Sequence, residues 1–297
     1  MRSANTNFLT VLAICDTGVL VLTFALYSVE VLYDYTMNYQ LYVLWFYYVK
    51  IVFTLSHIFQ VSAVYLTISA TVERWAALGF PTYMARGCRC RFRCQPRNSL
   101  FFIAFVLICV ALLNMCKYWE LEVSVSEHCP SFGRYTLVQG PLLKNQLYIQ
   151  LYSVWLSNVL FIFVPFLSLF VLNLGIFIQI TRVHSSSDNG NSFVLMPLQK
   201  RVEERLRRAK GREASTILFV VVFVFLVCNC PALILTILEQ AYPKFLYRYY
   251  TFYSFSRDAT NIMTAVNSAV NFPIYVIFGS EFRRMLKRII CRWKYKG

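Results

Sequence analysis

The chain has 297 residues, of which 58% are hydrophobic, 17% aromatic and only 14% charged. Soluble domains carry roughly 25% charged residues, and the mean hydropathy here is +0.53. This composition excludes an ordinary soluble domain and indicates a protein that crosses a membrane several times. The formal net charge of +15 would also suit a nucleic-acid-binding protein, so the positions of the charges must decide between the two.

Six apolar stretches are long enough to cross a bilayer as helices, which takes about 20 residues. We predict the first to sixth spans near 7–28, 42–75, 99–119, 147–182, 213–240 and 250–278. Their apolar runs are continuous rather than alternating, which favours helices over barrel strands. The sequence therefore predicts an all-α fold: one polytopic membrane helix bundle over residues 1–297, followed near 280–292 by a helix on the membrane surface.

The basic residues report how the chain is oriented in the membrane. Most of its 29 lysines and arginines precede the first span or lie within 74–97, 182–212 and 283–296. An excess of these residues marks the cytoplasmic side of a membrane protein, so these segments and both termini are predicted to lie inside. The charge is thus explained by topology. We expect the lipid bilayer as a partner and no nucleic acid.

Two helices are predicted on the cytoplasmic side. Residues 198–212 carry Glu-to-Arg pairs four positions apart, which favour a helix that continues into the fifth span. An irregular, solvated run of charges is the alternative. After Phe278, apolar residues recur at helical spacing opposite a basic face, as expected for a helix lying on the inner leaflet. Cys291 near its end is a candidate for palmitoylation, with an unmodified thiol as the alternative.

Three polar residues within the spans predict a polar cluster in the bundle core. Asp16 is an acid in the first span, where an unpaired carboxylate is strongly disfavoured. Asn267 and Asn271 are one helical turn apart in the last span and offer it partners. Water alone and a sodium ion near Asp16 stay open as occupants of this cluster. No other cofactor is expected.

Two charged residues at the end of one span and prolines within two other spans predict sites of conformational change. Glu73 and Arg74 are adjacent at the inner end of the second span, where Arg74 either anchors at the membrane surface or reaches a partner across the bundle. Pro165 in the fourth span and Pro231 in the fifth each remove a helical hydrogen bond, which predicts kinks. Pro231 follows Phe225 by six residues.

Signatures of catalysis are missing from the sequence. It has no pair of metal-binding histidines at helical spacing, no glycine-rich phosphate loop and no nucleophilic serine elbow. Cys88, Cys90 and Cys94 lack a nearby fourth ligand for zinc. The chain is therefore predicted not to be an enzyme and not to hold a structural metal.

Taken together, these features resemble the rhodopsin-like G protein-coupled receptors over nearly the whole chain. The matching motifs are "LAICD" with Asp16, "ERW" with Arg74 followed by Pro81, Pro165 with Asn173, "FLVCNCP" ending at Pro231, and Asn271 to Tyr275 followed by Phe282. Each motif is short, but their order and spacing are specific. The phrases "TNFLTVLAICDT", "SAVYLTISATVERW" and "CPALILTILE" are similar to invertebrate FMRFamide-type neuropeptide receptors.

The resemblance implies a plasma-membrane receptor that transmits the binding of an amidated neuropeptide to a heterotrimeric G protein. Retinal receptors of this family need a lysine in the last helix and amine receptors an aspartate in the second span of this chain, and both are missing here. Candidate ligand contacts, chosen from depth and facing, are Gln60, Trp155 and Glu239. The residues expected to rearrange on activation are Asp16, Glu73, Arg74, Pro165, Asn173, Phe225, Pro231, Asn267, Asn271 and Tyr275.

Two departures from the family concern the number of spans and the outer loop. The family has seven spans, whereas this chain begins inside what would be the first inner loop, so helix one is expected to be missing. A truncated, non-signalling fragment is therefore an alternative to a working receptor, and a six-span channel or transporter is another. The family also joins the outer end of helix three to the outer loop by a disulfide. Cys129 supplies the loop half, but "LYVLWFYYVK" has no cysteine, so Cys129 is either free or paired with Cys116.

Three further departures concern the switch itself. The family tryptophan before the proline of "CNCP" is Asn229 here. The position of the acid that often holds the helix-three arginine is Gly211, although Glu213 is close. The usual Asn-Pro-x-x-Tyr motif reads Asn-Phe-x-x-Tyr from Asn271, with Pro273 one place later than the usual proline.

Overall fold

The structure is a computed structural model, and it describes residues 4–77, 96–126, 131–186, 198–242, 248–280, 282–284 and 286–288. Six helices among these residues are long and apolar enough to cross a membrane. They run over Asn7–Thr36, Tyr39–Glu73, Ser99–Trp119, Gln146–Gly175, Phe219–Glu239 and Tyr250–Phe278. The predicted helical membrane bundle is confirmed, and from here on the first to sixth spans are these six helices.

The first span is longer than its apolar stretch. An α-helix over Ala4–Thr23 passes through a π-helical turn at Phe24–Ser28 into a second α-helix, Val29–Thr36. A π-helical turn disturbs the usual i to i+4 bonding, and here side chains of the second span donate to two carbonyls of this turn. The Trp45 Nε1 lies 2.9 Å from the Leu26 oxygen, and the Tyr48 hydroxyl 2.8 Å from the Ala25 oxygen.

Most of residues 29–41, which lie between the first two predicted spans, are therefore helical rather than a connecting loop. Hydropathy marks only the part of a helix that lipid covers, and this helix continues beyond that part. The reversal takes two residues: Met37, in the left-handed region with φ 50°, and Asn38. The Asn38 side chain accepts from the backbone N–H of Gln40 at 3.0 Å and caps the second span.

The second and third spans are regular helices over Tyr39–Ala77 and Pro96–Asn114, and the third ends in a 3₁₀ turn at Met115–Trp119. The fourth begins with a 3₁₀ turn at Pro141–Lys144 and a short helix at Gln146–Tyr148. Two π-helical segments follow, Ile149–Leu156 and Val159–Phe163, before an α-helix over Val164–Ser186.

The fifth and sixth spans belong to the helices Leu198–Ala241 and Tyr250–Phe278. The fifth helix has 44 residues, so the predicted continuation of the charged cytoplasmic segment into the span is confirmed. Pro231 and Pro273 lie inside these two helices. Beyond Phe278, residues 282–284 and 286–288 are helical, as predicted for the surface helix, and Cys291 lies outside the described residues.

A small sheet follows the third span, and the all-α prediction missed it. Strands β1 (Leu121–Val125) and β2 (Tyr135–Gln139) pair antiparallel, with Leu121 opposite Gln139 and Val125 opposite Tyr135. Both strands are five residues long and rich in β-branched residues, which is the pattern of a short strand. That pattern is present in the sequence between the third and fourth predicted spans, where we predicted no secondary structure.

Three clusters of buried side chains hold the bundle. The largest joins the first, second and third spans and consists of Phe8, Leu12, Cys15, Ala63, Leu66, Ala70 and Ile103. In lipid such clusters stabilise by close van der Waals packing rather than by the hydrophobic effect. Gly18 illustrates this, since a Cβ there would lie 2.8 Å from the ring of Phe59. The close approach places Asp16 directly against the second span.

Candidate functional site

The first and last spans are joined by a buried polar pair. The Asn271 Nδ2 donates to the Asp16 Oδ2 at 2.7 Å, and the two side chains are 6% and 5% exposed. Ser268, three residues earlier in the last span, is buried beside this pair. The bond from Asn271 stabilises a carboxylate that lipid would otherwise disfavour. The prediction that Asn271 faces Asp16 is confirmed.

A cavity of about 20 Å³ lies beside this pair. About 10–15 Å³ of such space is enough to hold one water molecule, so the cavity has room for a single water or small ion and not for a peptide side chain. It is lined by polar groups of four spans together with apolar residues: Asp16, Gln60, Ala63, Val64, Thr67, Val221, Phe225, Asn229, Thr264, Asn267, Ser268 and Asn271. The predicted polar cluster in the bundle core is therefore present, and Gln60 and Asn267 belong to it. We call these residues the polar core.

Asn229 contributes to the polar core at the position where similar receptors carry tryptophan. Its Nδ2 donates to the Phe225 oxygen at 2.8 Å, one turn back in the same helix. Two residues later, Pro231 has no N–H, so the Val227 carbonyl lacks its helical donor. The fifth span therefore carries a weakened turn next to the polar core.

The fourth and fifth spans meet around Phe225. This ring is 6% exposed and forms a cluster with Leu169 and Val222. Asn173 lies further along the fourth span, 6% exposed, with its Nδ2 3.5 Å from the Phe219 oxygen. Its Oδ1 is buried and has no hydrogen-bond partner within the described part of the chain. Pro165 is fully buried in the same span.

The inner ends of the fifth and sixth spans are linked through Glu213. Its carboxylate accepts from the backbone N–H of Ser280 and, at 2.8 Å, from the Ser280 hydroxyl. Ser280 directly follows the last span, where Gly279 donates to the Tyr275 oxygen at 3.0 Å. The bonds therefore join the base of the fifth span to the start of the surface helix. We call this contact the inner latch.

Tyr275 is held beside the surface helix. The Phe282 ring lies 6.0 Å from the Tyr275 ring and 5.9 Å from the Phe272 ring, centroid to centroid. Phe282 of the surface helix therefore packs against the last span. Glu73 and Arg74 end the second span in helical conformation, and the Arg74 side chain lies outside the described residues.

At the outer end, Glu239 lies between the fifth and sixth spans. The Tyr253 hydroxyl donates to its Oε1 at 2.9 Å, and the Arg257 guanidinium lies 3.6 Å from the same atom. Glu30 on the first span lies within electrostatic range of Asp258 on the last. These outer ends of the spans, which we call the outer mouth, thus carry the carboxylates of Glu30, Glu239 and Asp258, and Arg257 neutralises Glu239 in part.

The structure differs from the sequence-based predictions at Trp155 and at Cys116. Trp155 was chosen as facing the ligand, but it is 68% exposed and points away from the polar core. It lies in the π-helical segment Ile149–Leu156, where each turn holds more residues than an α-helix, so facing inferred from α-helical spacing fails. Cys116 is a free thiol whose Sγ donates to the Leu113 oxygen at 3.2 Å. The Cys116–Cys129 disulfide offered as one alternative is therefore not formed, and Cys129 itself lies outside the described residues.

Sequence reasoning missed two of the contacting side chains. Ser268 is three residues before Asn271, so the same helical face carried the signal for it. Ser280 offered a weaker signal, a hydroxyl directly after Gly279 at the end of the last span. Its partner is 67 residues away along the chain, which no local pattern specifies.

Comparison with known protein families shows which family this chain belongs to. The model of the family described as "Serpentine type 7TM GPCR chemoreceptor Srw" matches residues 1–293. The chain belongs to this family of serpentine G protein-coupled receptors. It is a multi-pass membrane protein, in agreement with its six membrane-spanning helices.

Two relatives and one solved structure define the resemblance more closely. The chain is 30% identical over 291 residues to the "FMRFamide receptor" of Drosophila melanogaster, an alignment that covers 96% of this chain and 48% of the relative. It is 25% identical over 295 residues to an "FMRFamide peptide receptor" of Caenorhabditis elegans, covering 98% and 62%. It thus spans about half the length of the first relative and less than two thirds of the second. The predicted resemblance to FMRFamide-type receptors is confirmed.

The fold is shared with a receptor of known structure. The crystal structure of squid rhodopsin superposes with a TM-score of 0.69 at 12% sequence identity, covering 97% of this chain and 71% of that chain. At this identity the match shows the arrangement of helices alone.

Proposed function

We propose that this chain forms the membrane core of a plasma-membrane receptor that binds an amidated neuropeptide outside and activates a heterotrimeric G protein inside. The observation that carries the proposal is the Asp16–Asn271 pair, which joins the first and last spans within the polar core. Its setting in a chain of this family, similar to receptors named for FMRFamide, supports the ligand class.

The mechanism is a shift between two populations of the bundle. Peptide binding at the outer mouth favours a state in which the fifth span turns about Pro231. Its inner end then moves away from Arg74 and opens a cleft for the G protein. The inner latch between Glu213 and Ser280 must break for this motion, and Tyr275 must leave the ring of Phe282.

The carboxylates of the outer mouth support a ligand with a positive charge. Glu239 is paired only loosely with Arg257, at 3.6 Å, and lies next to the ring of Tyr253. A basic peptide residue entering here replaces Arg257 as the partner of Glu239. The neighbouring tyrosine ring adds a cation–π contact to the incoming charge.

The polar core fits a monovalent cation as well as water. One carboxylate, Asp16, is surrounded by neutral oxygen donors such as those of Ser268 and Asn267. Hard cations prefer such oxygen ligands. No cluster of three or more histidine, cysteine or acidic residues occurs in the described part of the chain, so the donor set suits sodium better than a multivalent ion. A bound ion here would neutralise Asp16 and stabilise the closed bundle.

The experiment expresses the protein translated from the complete gene in cells and screens peptide pools for G protein activation. We expect an amidated peptide to produce a response that Arg74→Ala removes while surface expression is kept. Surface-expressed protein that responds to no pool, or a response that Arg74→Ala leaves intact, would contradict the proposal and favour the non-signalling fragment.

A further inference from the structure

The β1–β2 hairpin lies against the outer ends of the first and second spans. Val123 of β1 packs on the buried cluster of Leu26, Trp45 and Val49, which belongs to these two spans. The hairpin follows the third span and precedes the fourth, so it crosses the outer side of the bundle. Receptors of the family tie this loop to the same helix by a disulfide, and residues 41–50 contain no cysteine.

A single hydroxyl group holds the turn of the hairpin. The Tyr42 oxygen accepts from the backbone N–H of Gly133 at 3.1 Å and from that of Tyr135 at 2.9 Å. It also donates to the Tyr135 oxygen at 2.8 Å. A phenol offers one donor and two acceptor positions, so Tyr42 uses all of them on the hairpin backbone. These bonds fix the place where β2 begins.

The turn is shaped to meet this hydroxyl. Gly133 has φ 109°, a conformation that side-chain-bearing residues rarely adopt, and it directs its N–H at Tyr42. The Arg134 N–H closes the turn on the Ser131 oxygen at 3.0 Å. The hairpin and the second span are therefore matched at the level of backbone geometry as well as side-chain contact.

Aromatic rings shield these hydrogen bonds from water. Tyr42 is 4% exposed. Its ring centroid lies 4.9 Å from that of Phe46, 5.2 Å from Phe132 and 5.3 Å from Tyr33. Hydrogen bonds inside such a low-dielectric cluster are stronger than in water, and breaking them leaves buried groups unsatisfied.

The other end of the hairpin is fixed as firmly. The Gly140 N–H donates to the Glu120 oxygen at 2.8 Å, and a Cβ at Gly140 would lie 2.2 Å from the Trp119 oxygen. The Glu120 carboxylate is held by Lys117 at 2.9 Å and by the Tyr148 hydroxyl at 2.7 Å. Contacts of the third and fourth spans thus secure the base, while Tyr42 supplies hydrogen bonds from the second span to the described residues of the turn, 131–135.

We infer that Tyr42 is a positioning residue: it clamps the outer hairpin to the second span without a covalent bond, in the place where similar receptors use a disulfide. The clamp follows from the contacts of Tyr42 and does not depend on the proposed function. Its consequence for peptide binding does rest on that function, because the hairpin then holds the shape of the outer mouth. The loop should accordingly be insensitive to reducing agents.

Hydrogen exchange read by mass spectrometry tests the clamp on purified protein from the complete gene in lipid nanodiscs. Tyr42→Phe keeps the ring and removes only the hydroxyl. We expect the amides of 131–139 to exchange about five- to tenfold faster, the effect of losing the three hydrogen bonds of the hydroxyl, part of which water restores. Tyr47→Phe is the matched control, since Tyr47 is 85% exposed in the same helix, and it should change nothing. Equal exchange in wild type and Tyr42→Phe would overturn the clamp.

Dithiothreitol treatment of the unaltered protein supplies a second test that needs no variant to fold. We expect exchange in 131–139 to be the same with and without the reductant. Acceleration comparable to that of Tyr42→Phe would mean that a disulfide holds the loop and would overturn the inference. Peptide potency in cells is the separate readout of function. Faster exchange in Tyr42→Phe with unchanged potency would leave the clamp standing and remove its role in ligand binding.

Discussion

The Glu213 carboxylate receives two hydrogen bonds from Ser280, one from its backbone N–H and one from its hydroxyl. Similar receptors often carry an acidic residue at the base of this helix, and this chain has Gly211 at that position. Glu213 therefore offers a different way to hold the fifth span closed, through the start of the surface helix. Whatever opens the cytoplasmic side must break this pair.

The inner latch predicts elevated basal activity when either partner is removed. Glu213→Ala removes both bonds and should raise ligand-independent G protein signalling about five- to tenfold, because a charge-assisted hydrogen bond contributes roughly 1.5–3 kcal/mol, part of which the open state regains from water. Ser280→Ala removes only the hydroxyl bond and keeps the backbone N–H bond, so it should raise signalling less. Signalling in cells, normalised to surface expression, measures this effect.

A double-mutant cycle gives the control for the latch. Glu213→Ala combined with Ser280→Ala should signal no more than Glu213→Ala alone, since that variant already removes both bonds to Ser280. The exposed Arg284, changed to Gln, should leave basal activity unaltered. Fully additive effects of Glu213 and Ser280 would contradict a shared contact.

The Asp16–Asn271 pair predicts that exchanging its two side chains restores thermal stability lost in the single variants. Asp16→Asn should lower thermal stability, and Asn271→Asp should lower it further because two acids then face each other at 2.7 Å. The double exchange restores one acid and one amide at the same distance. We expect it to recover at least half of the lost melting temperature in detergent. A double variant less stable than both single variants would refute the pairing.

The base of the hairpin predicts a steric effect at Gly140. Gly140→Ala places a methyl group 2.2 Å from the Trp119 oxygen, a backbone atom that cannot turn aside. Overpacking of this kind costs roughly 1–3 kcal/mol and should lower the melting temperature by about 5 °C or more. Ser131→Ala, an exposed position in the turn, is the control and should melt like wild type.

The arrangement of side chains at the outer mouth predicts which aromatic and acidic residues determine peptide potency. Glu239→Ala should weaken peptide potency by about tenfold or more, because it removes the partner for a ligand cation. Trp155→Ala should stay within about threefold of wild type, since its side chain faces away from the bundle interior. Dose–response curves for one active peptide measure both. A larger loss for Trp155 than for Glu239 would contradict the observed facing.

Features of the fold that the lipid bilayer requires could be predicted from the sequence. A membrane-spanning helix needs about 20 apolar residues, so the six spans were visible from composition alone. Asp16 and Asn271 were recognisable because a polar group in such a span needs a partner. The 44-residue fifth helix was foreseen because its Glu-to-Arg pairs continue the helical pattern past the lipid.

The features that sequence reasoning missed depend on backbone irregularity or distant contacts. The π-helical segment Ile149–Leu156 turned Trp155 outward, and no local composition marks such a segment. The Glu213–Ser280 contact joins residues 67 positions apart. The clamp by Tyr42 depends on a hairpin whose turn lies 91 residues further along the chain. Helical periodicity and hydropathy carry no information at such separations.

Nucleotide exchange on a purified heterotrimeric G protein tests the central claim most directly, with the protein from the complete gene reconstituted in nanodiscs. We predict that an amidated peptide which binds the reconstituted protein accelerates exchange. Asp16→Ala should abolish this acceleration while peptide binding at the outer mouth is kept. Peptide binding without accelerated exchange in the wild type, or acceleration that survives in Asp16→Ala, would contradict a signal passing through the polar core.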